Sequence, residues 1–294
     1  MKEEAKEMYQ IADEELILEV TEKGAEMKSL RERSSGREYL WCADERYWKR
    51  TAPVLFPLVG RYRDNETYYD GKTYRLSQHG FARDMDFSLV RRTETELWFS
   101  LEQTEETLEH YPFCFRLTVG YRLEGRTVRV LWRVENTDDR EIWFSIGGHP
   151  AFVCPPGAEK RSDCRLRFDT DGPLVSGTLN ENGVLGERLR TYPLVNREMA
   201  VTDDLFDEDA LVLESRQASR VSLVDGNGGT YVTVSFDAPV FGIWSPSGDA
   251  PFVCIEPWYG VSDREDFNKE LRERKWSQSL KPGKVFEGGY TILV

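Results

Sequence analysis

Four short segments of the 294-residue chain set titratable or hydrogen-bonding side chains beside glycine or proline. They are FPLVGRYRD around Arg61, SQHGFARDMDF around His79 and Arg83, SIGGHPAF around His149, and FVCIEPWYG around Glu256. In the third, Gly147 and Gly148 leave the space beside His149 free of side chains, so a ligand can approach there. Pro150 disfavours the helical region for the residue before it and limits where the imidazole points. Glu256-Pro257 repeats the device: the carboxylate ends an apolar run, Phe252, Val253, Cys254 and Ile255, beside Trp258 and Tyr259. A histidine and a glutamate brought together form an acid and base pair for proton transfers on a sugar or similar polyol. The bland readings are a polar residue tolerated by the core for His149, and for Glu256 a carboxylate satisfied by backbone N–H groups or an arginine.

The other two segments supply donors. Pro57 and Gly60 break a short apolar strand before Arg61, placing a guanidinium where it can bind hydroxyls or an anion, or form a surface salt bridge. Gln78, His79 and Arg83 cluster around Gly80, which permits a left-handed turn or close backbone approach. The competing readings are a loop histidine bonded to backbone, and an Arg83 paired with Asp84 or Asp86.

The elements that must hold these groups read as strands. Val128, Val130, Trp132 and Val134 share one face of TVRVLWRVEN, and Phe113, Phe115, Leu117, Val119 and Tyr121 share one face of the preceding segment. With Gly125 between them they predict a hairpin. Alternation also marks ELWFSLE, EIWFSI, RVSLVD and YVTVSFD, the last two joined by the turn DGNGG. The best helix candidate is SDREDFNKELRER, where Ser262 and Glu265 have capping-box spacing. PPGAEKRSD and GTLNENGVLGERL read as long surface loops. The chain is therefore expected to be all-β, one domain over residues 1–294, built as a large antiparallel β-sandwich rather than a Rossmann or TIM fold.

The formal charge of −13 and the lack of a basic stripe exclude nucleic acid and acidic membranes as expected partners. Five scattered cysteines without CxxC spacing suggest reduced thiols, with neither a disulfide framework nor a metal site. MKEEAKEMYQ has no apolar signal-peptide core, and no run approaches membrane-spanning length, so a cytoplasmic protein is expected. The many aromatic residues suit a β core first and a sugar platform second. The sequence leaves the oligomeric state open.

Taken in order, APVLFPLVGRYRDNETYYDGKTYRLSQHGFARDMDF, FSIGGHPAF and PFVCIEPWYGVSDREDF resemble the aldose 1-epimerase (galactose mutarotase) superfamily, in its LacX-like bacterial branch. The resemblance covers most of the chain and implies the galactose mutarotase type of β-sandwich. It implies His149 as general acid and Glu256 as general base, Arg61 and His79 as substrate-binding residues, and a sugar-binding aspartate matched by Asp209, with Asp207 next. The implied reaction interconverts the α and β anomers of a free hexose with no cofactor and no metal. That chemistry calls for carboxylates keeping His149 charged and hydrogen bonds keeping Glu256 ionised. HGFAR also resembles the hexose-6-phosphate mutarotase branch, in which Arg83 with Arg61 would bind phosphate. A non-catalytic carbohydrate-binding protein on the same fold is the alternative of a different class. Glycoside hydrolysis, which needs two carboxylates, ranks behind both.

Overall fold

The computed structural model describes residues 7–294. Its strands form two large sheets, of nine and eight strands, and every pair of strands is antiparallel. The nine-stranded sheet is centred on the predicted hairpin, Phe115–Glu124 with Thr127–Asn136, and extends through Val285–Leu293 to Thr230–Phe236 and Arg220–Val224. The eight-stranded sheet is centred on Val240–Trp244 and Phe252–Tyr259. A three-stranded sheet, Met8–Ala12, Leu16–Thr21 and Met27–Glu32, adds its apolar side chains to the same core.

Period-two alternation determines which side chains enter that core. Val128, Val130, Trp132 and Val134 face it from one sheet, and Phe241, Ile243, Val253 and Ile255 face it from the other. Phe236 and Phe241 meet across the core with ring centroids 5.2 Å apart. The residues between them on Phe252–Tyr259 point the opposite way. Phe252 and Cys254 join one smaller cluster on the sheet's far side, and Trp258 joins another. Glu256 therefore shares a face with Cys254 and Trp258, not with the main core. Loops cover this second face, which is why the strand is buried along its length except for Tyr259 and reads as an unbroken apolar run.

Register then brings the histidine to the glutamate. The short strands Ile146–Gly148 and Ala151–Val153 both pair with Phe252–Tyr259 in one continuous register, Gly147 opposite Trp258 and Ala151 opposite Cys254. That register sets His149 opposite Glu256. On the other flank of Glu256 the paired residue is Gly242.

Three expectations change. The glycine pair does not clear space for a ligand: a Cβ on Gly147 would lie 2.7 Å from Trp258 Cδ1, and one on Gly148 would lie 2.7 Å from Tyr290 Cε1. The glycines admit an indole on one face and a phenol on the other. The expected helix at SDREDFNKELRER is absent apart from a three-residue 3-10 turn, Leu271–Glu273. Ser262 Oγ instead accepts the Arg61 N–H at 3.0 Å, Asp263 is paired with Arg274 at 2.7 Å, and Lys269 adopts φ +71°, so tertiary contacts have taken the would-be cap. GTLNENGVLGERL is mostly hairpin, Leu174–Leu179 with Leu185–Tyr192, and not an irregular loop. The one α-helix among the described residues, Glu105–His110, carries a Thr104/Thr107 capping box that the sequence reading passed over.

Gly147→Ala should destabilise the protein by about 1–3 kcal/mol, because the methyl group meets the Trp258 ring and the Pro257 carbonyl in a packed layer. Urea unfolding should show a lower midpoint with an unchanged slope.

Candidate active site

His149 and Glu256 line a cavity of about 300 Å³ on the outer face of the eight-stranded sheet, at the small end of the range for small-molecule sites. His149 Nε2 lies 3.2 Å from Glu256 Oε2. The two groups stand side by side, so a ligand meets both from the same direction. The His149 ring stacks on Trp48 at 4.6 Å and 28°, and meets Trp244 and His79 edge-on at 5.6 and 5.7 Å. These neighbours hold the imidazole plane without using either ring nitrogen. Trp48, Trp244 and Trp258 also line the cavity, as do Gln78, Asp209 and Ser262.

Burial dominates the electrostatics. His149 is pushed from its ordinary 6.5 down to about 3 by loss of water, with the Arg83 and Arg50 cations acting in the same direction. Glu256 is pushed well above its ordinary 4.5 by burial, then by the Asp209 carboxylate, while the Trp258 indole opposes the shift. Neither Glu256 oxygen nor His149 Nδ1 has a regular hydrogen bond. This reverses the expected charge states: burial governs His149, with arginines rather than carboxylates as its charged neighbours, and the Trp258 indole alone does not hold Glu256 ionised. The ligand-free pair is a neutral imidazole beside a neutral carboxyl group, with one proton between them.

The remaining predicted residues divide by position. His79 lines the cavity, sits at φ +67° beside Gly80 at φ +71°, and accepts the Gly60 N–H on Nδ1 at 3.2 Å. Burial and nearby cations, Arg83 first, hold it well below its ordinary value, so it is neutral with its remaining N–H on Nε2. A Cβ on Gly80 would lie 2.3 Å from the Phe56 carbonyl oxygen, which explains the glycine. Arg83 lines the cavity and donates to the Gln78 carbonyl. Its Asp84 contact is loose, at 3.8 Å, and Asp84 instead bonds Arg50 at 2.7 Å. Arg61 lies behind the wall, bonded to Gln78 Oε1 at 3.0 Å, and lines an adjoining hollow with Arg75 and Arg83. Asp209 lines the cavity and Asp207 does not. His110 is exposed in the last turn of the α-helix, away from the site.

Residues 7–292 match the family described as aldose 1-epimerase. The chain belongs to the aldose 1-epimerase family. Two LacX proteins of Lactococcus lactis subsp. lactis, chromosomal and plasmid, are each 30% identical to it over 97% of this chain and 98% of theirs. A galactose mutarotase related enzyme from Lactobacillus acidophilus superposes with a TM-score of 0.92 at 35% identity, over 98% of this chain and 97% of that one. A galactose mutarotase-like protein from Lactobacillus casei ATCC 334 gives 0.91 at 28% identity, over 98% and 99%. The fold is thus the galactose mutarotase sandwich. No described helix is long and apolar enough to cross a membrane.

Within this aldose 1-epimerase fold, sequence reasoning missed the aromatic walls. Trp48 lies outside the four motifs and Trp244 ends an ordinary apolar strand, so nothing local separates either from a core residue. Ser262, whose spacing to Glu265 predicts a helix cap, lines the cavity instead.

The neutral pair makes a testable contribution to stability. Above about pH 6.5 the unfolded chain releases both protons while the folded pair retains one, so stability falls as pH rises until the folded Glu256 ionises. Below about pH 4.5 the unfolded chain holds two protons and the folded pair one, so stability falls as pH drops. Between these values the contribution is flat. Relative to a His149→Asn/Glu256→Gln double variant, the unfolding free energy should plateau there and fall by about 1.4 kcal/mol per pH unit on either side. A difference independent of pH contradicts the neutral pair.

Proposed function

We propose that the protein is a mutarotase that interconverts the α and β anomers of a free hexose. The observation that carries this reading is the His149–Glu256 contact of 3.2 Å in the wall of a cavity of about 300 Å³, with hydrogen-bonding capacity on both groups left unused. A bound sugar supplies what Glu256 lacks. Hydroxyl donors on the carboxylate favour its charged form, and the shared proton moves to His149 with no net uptake from solvent. Ionised Glu256 then takes the proton of the anomeric hydroxyl while His149 delivers its own to the ring oxygen. The C1–O5 bond breaks, the open-chain aldehyde turns about C1–C2, and closure with the roles exchanged gives the other anomer. Atoms and charge balance with no external reactant. Asp209, His79 and Gln78 offer polar contacts to the sugar hydroxyls, and Trp48 and Trp244 offer apolar faces to its C–H bonds.

A phosphorylated hexose is the second reading. Arg61 and Arg83 both bond Gln78, on its side-chain and backbone oxygens, and with Arg75 they line a hollow of about 440 Å³ that shares Gln78 and Arg83 with the main cavity. A phosphate on a sugar in the main cavity would meet these guanidinium groups.

Exchange NMR of equilibrated glucose, galactose and glucose 6-phosphate should show anomer interconversion above the buffer rate. Glu256→Gln and His149→Asn should each lower kcat by roughly 10²–10⁴-fold. A protein that binds a sugar but accelerates no exchange, in wild type or variants, is a carbohydrate-binding protein and the proposal fails. Arg61→Ala should raise KM for the phosphorylated sugar alone if that is the substrate, and change neither sugar's KM if the free hexose is.

A further inference from the structure

Cys254 plays no part in the proton transfers described above. It lies two residues before Glu256 on the same face of Phe252–Tyr259, fully buried, opposite Ala151 and Trp244. One donor atom from each of His149, Cys254 and Glu256 lies within 4.8 Å of the others, the one such group among the described residues.

We propose that His149, Cys254 and Glu256 form a binding site for a thiophilic divalent cation such as Zn²⁺, whose occupancy switches the acid and base pair off. Thiolate, imidazole and carboxylate together suit zinc, and select against magnesium and calcium. Ligand atoms around tetrahedral zinc stand roughly 3.3–3.7 Å apart for bonds near 2.0–2.3 Å, so the three side chains close on an ion with shifts of about 1 Å. The cavity supplies the fourth position, for water or a sugar hydroxyl.

A second, independent feature supports the site. Glu256 is 1% exposed, yet neither of its oxygens makes a regular hydrogen bond: the near polar groups are His149 Nε2 at 3.2 Å, itself one of the three ligands, and the Trp258 indole. Buried carboxyl groups are normally satisfied, and a cation is one occupant that satisfies this one. Charge also balances. Binding forms one metal–sulfur, one metal–nitrogen and one metal–oxygen bond, and two protons leave, one from the thiol and one from the His149–Glu256 pair. The filled site then carries no net charge, as a dry pocket requires. No oxidation state changes.

Metal binding stands apart from the mutarotase reading; only the loss of exchange rests on it. Titration of the protein with Co²⁺ alone, followed by thiolate-to-cobalt charge-transfer absorption, reads the site directly. We expect one equivalent to bind with that band, Zn²⁺ to displace it, and Mg²⁺ to leave it unchanged. Cys254→Ala, or Cys254→Ser should the alanine variant fold poorly, should abolish the band, whereas a Cys154→Ala/Cys164→Ala double variant should keep it. Zn²⁺ should suppress anomer exchange in the wild type, and the Cys254 variants should lose that suppression, each measured against its own metal-free rate. Absence of a thiolate band, or a band that survives loss of Cys254, overturns the site. A band without suppression of exchange keeps the metal site and removes the switch.

Discussion

The contact between a buried imidazole and a buried carboxyl group governs the rest of the site. Two such groups 3.2 Å apart with little access to water cannot each take the charge state they would have in solution. Desolvation penalises the imidazolium and the carboxylate alike, and Arg83 and Arg50 weight the balance further against a charged His149. The pair is left with one titratable proton, held on Glu256 until a ligand favours the carboxylate and moves it to His149. That is a useful starting point for a reaction that removes a proton from one sugar oxygen and returns one to another, in either direction. The unfilled hydrogen bonds of Glu256 are a stability deficit that a ligand with several hydroxyl groups removes on binding.

The β-sandwich supplies the contact through register. Antiparallel pairing on both sides of Glu256 puts Gly242 on one flank and His149 on the other. Trp258 lies over Gly242 and Gly147 on the same face and packs the adjoining row. The glycine at position 147 therefore acts through the indole it admits, and the geometry of the pair depends on that layer. Trp48 completes it by stacking on His149.

Much of this was legible in the sequence, for identifiable reasons. Alternation in TVRVLWRVEN and its neighbour is a local signal, and the hairpin follows from it. His149 and Glu256 stood out because each precedes a proline and ends an apolar stretch. The misreadings share a different cause. The role of Gly147 depends on which strand lies beside it, and Ser262 has capping-box spacing but bonds to Arg61, some two hundred residues away in sequence. Trp48 carries no local mark of its position. The protonation states are not legible in the sequence because they depend on burial and on Arg83 and Arg50, which no spacing around His149 reveals.

The claim that the ligand-free pair is neutral can be tested directly. With only three histidines in the chain, ¹⁵N-histidine NMR of the wild type and of His149→Asn assigns the His149 ring nitrogens by difference. Followed between about pH 5 and 8 without sugar, they should keep the shifts of a neutral imidazole throughout. A His149 that titrates as an imidazolium near its ordinary value of 6.5 would contradict the account.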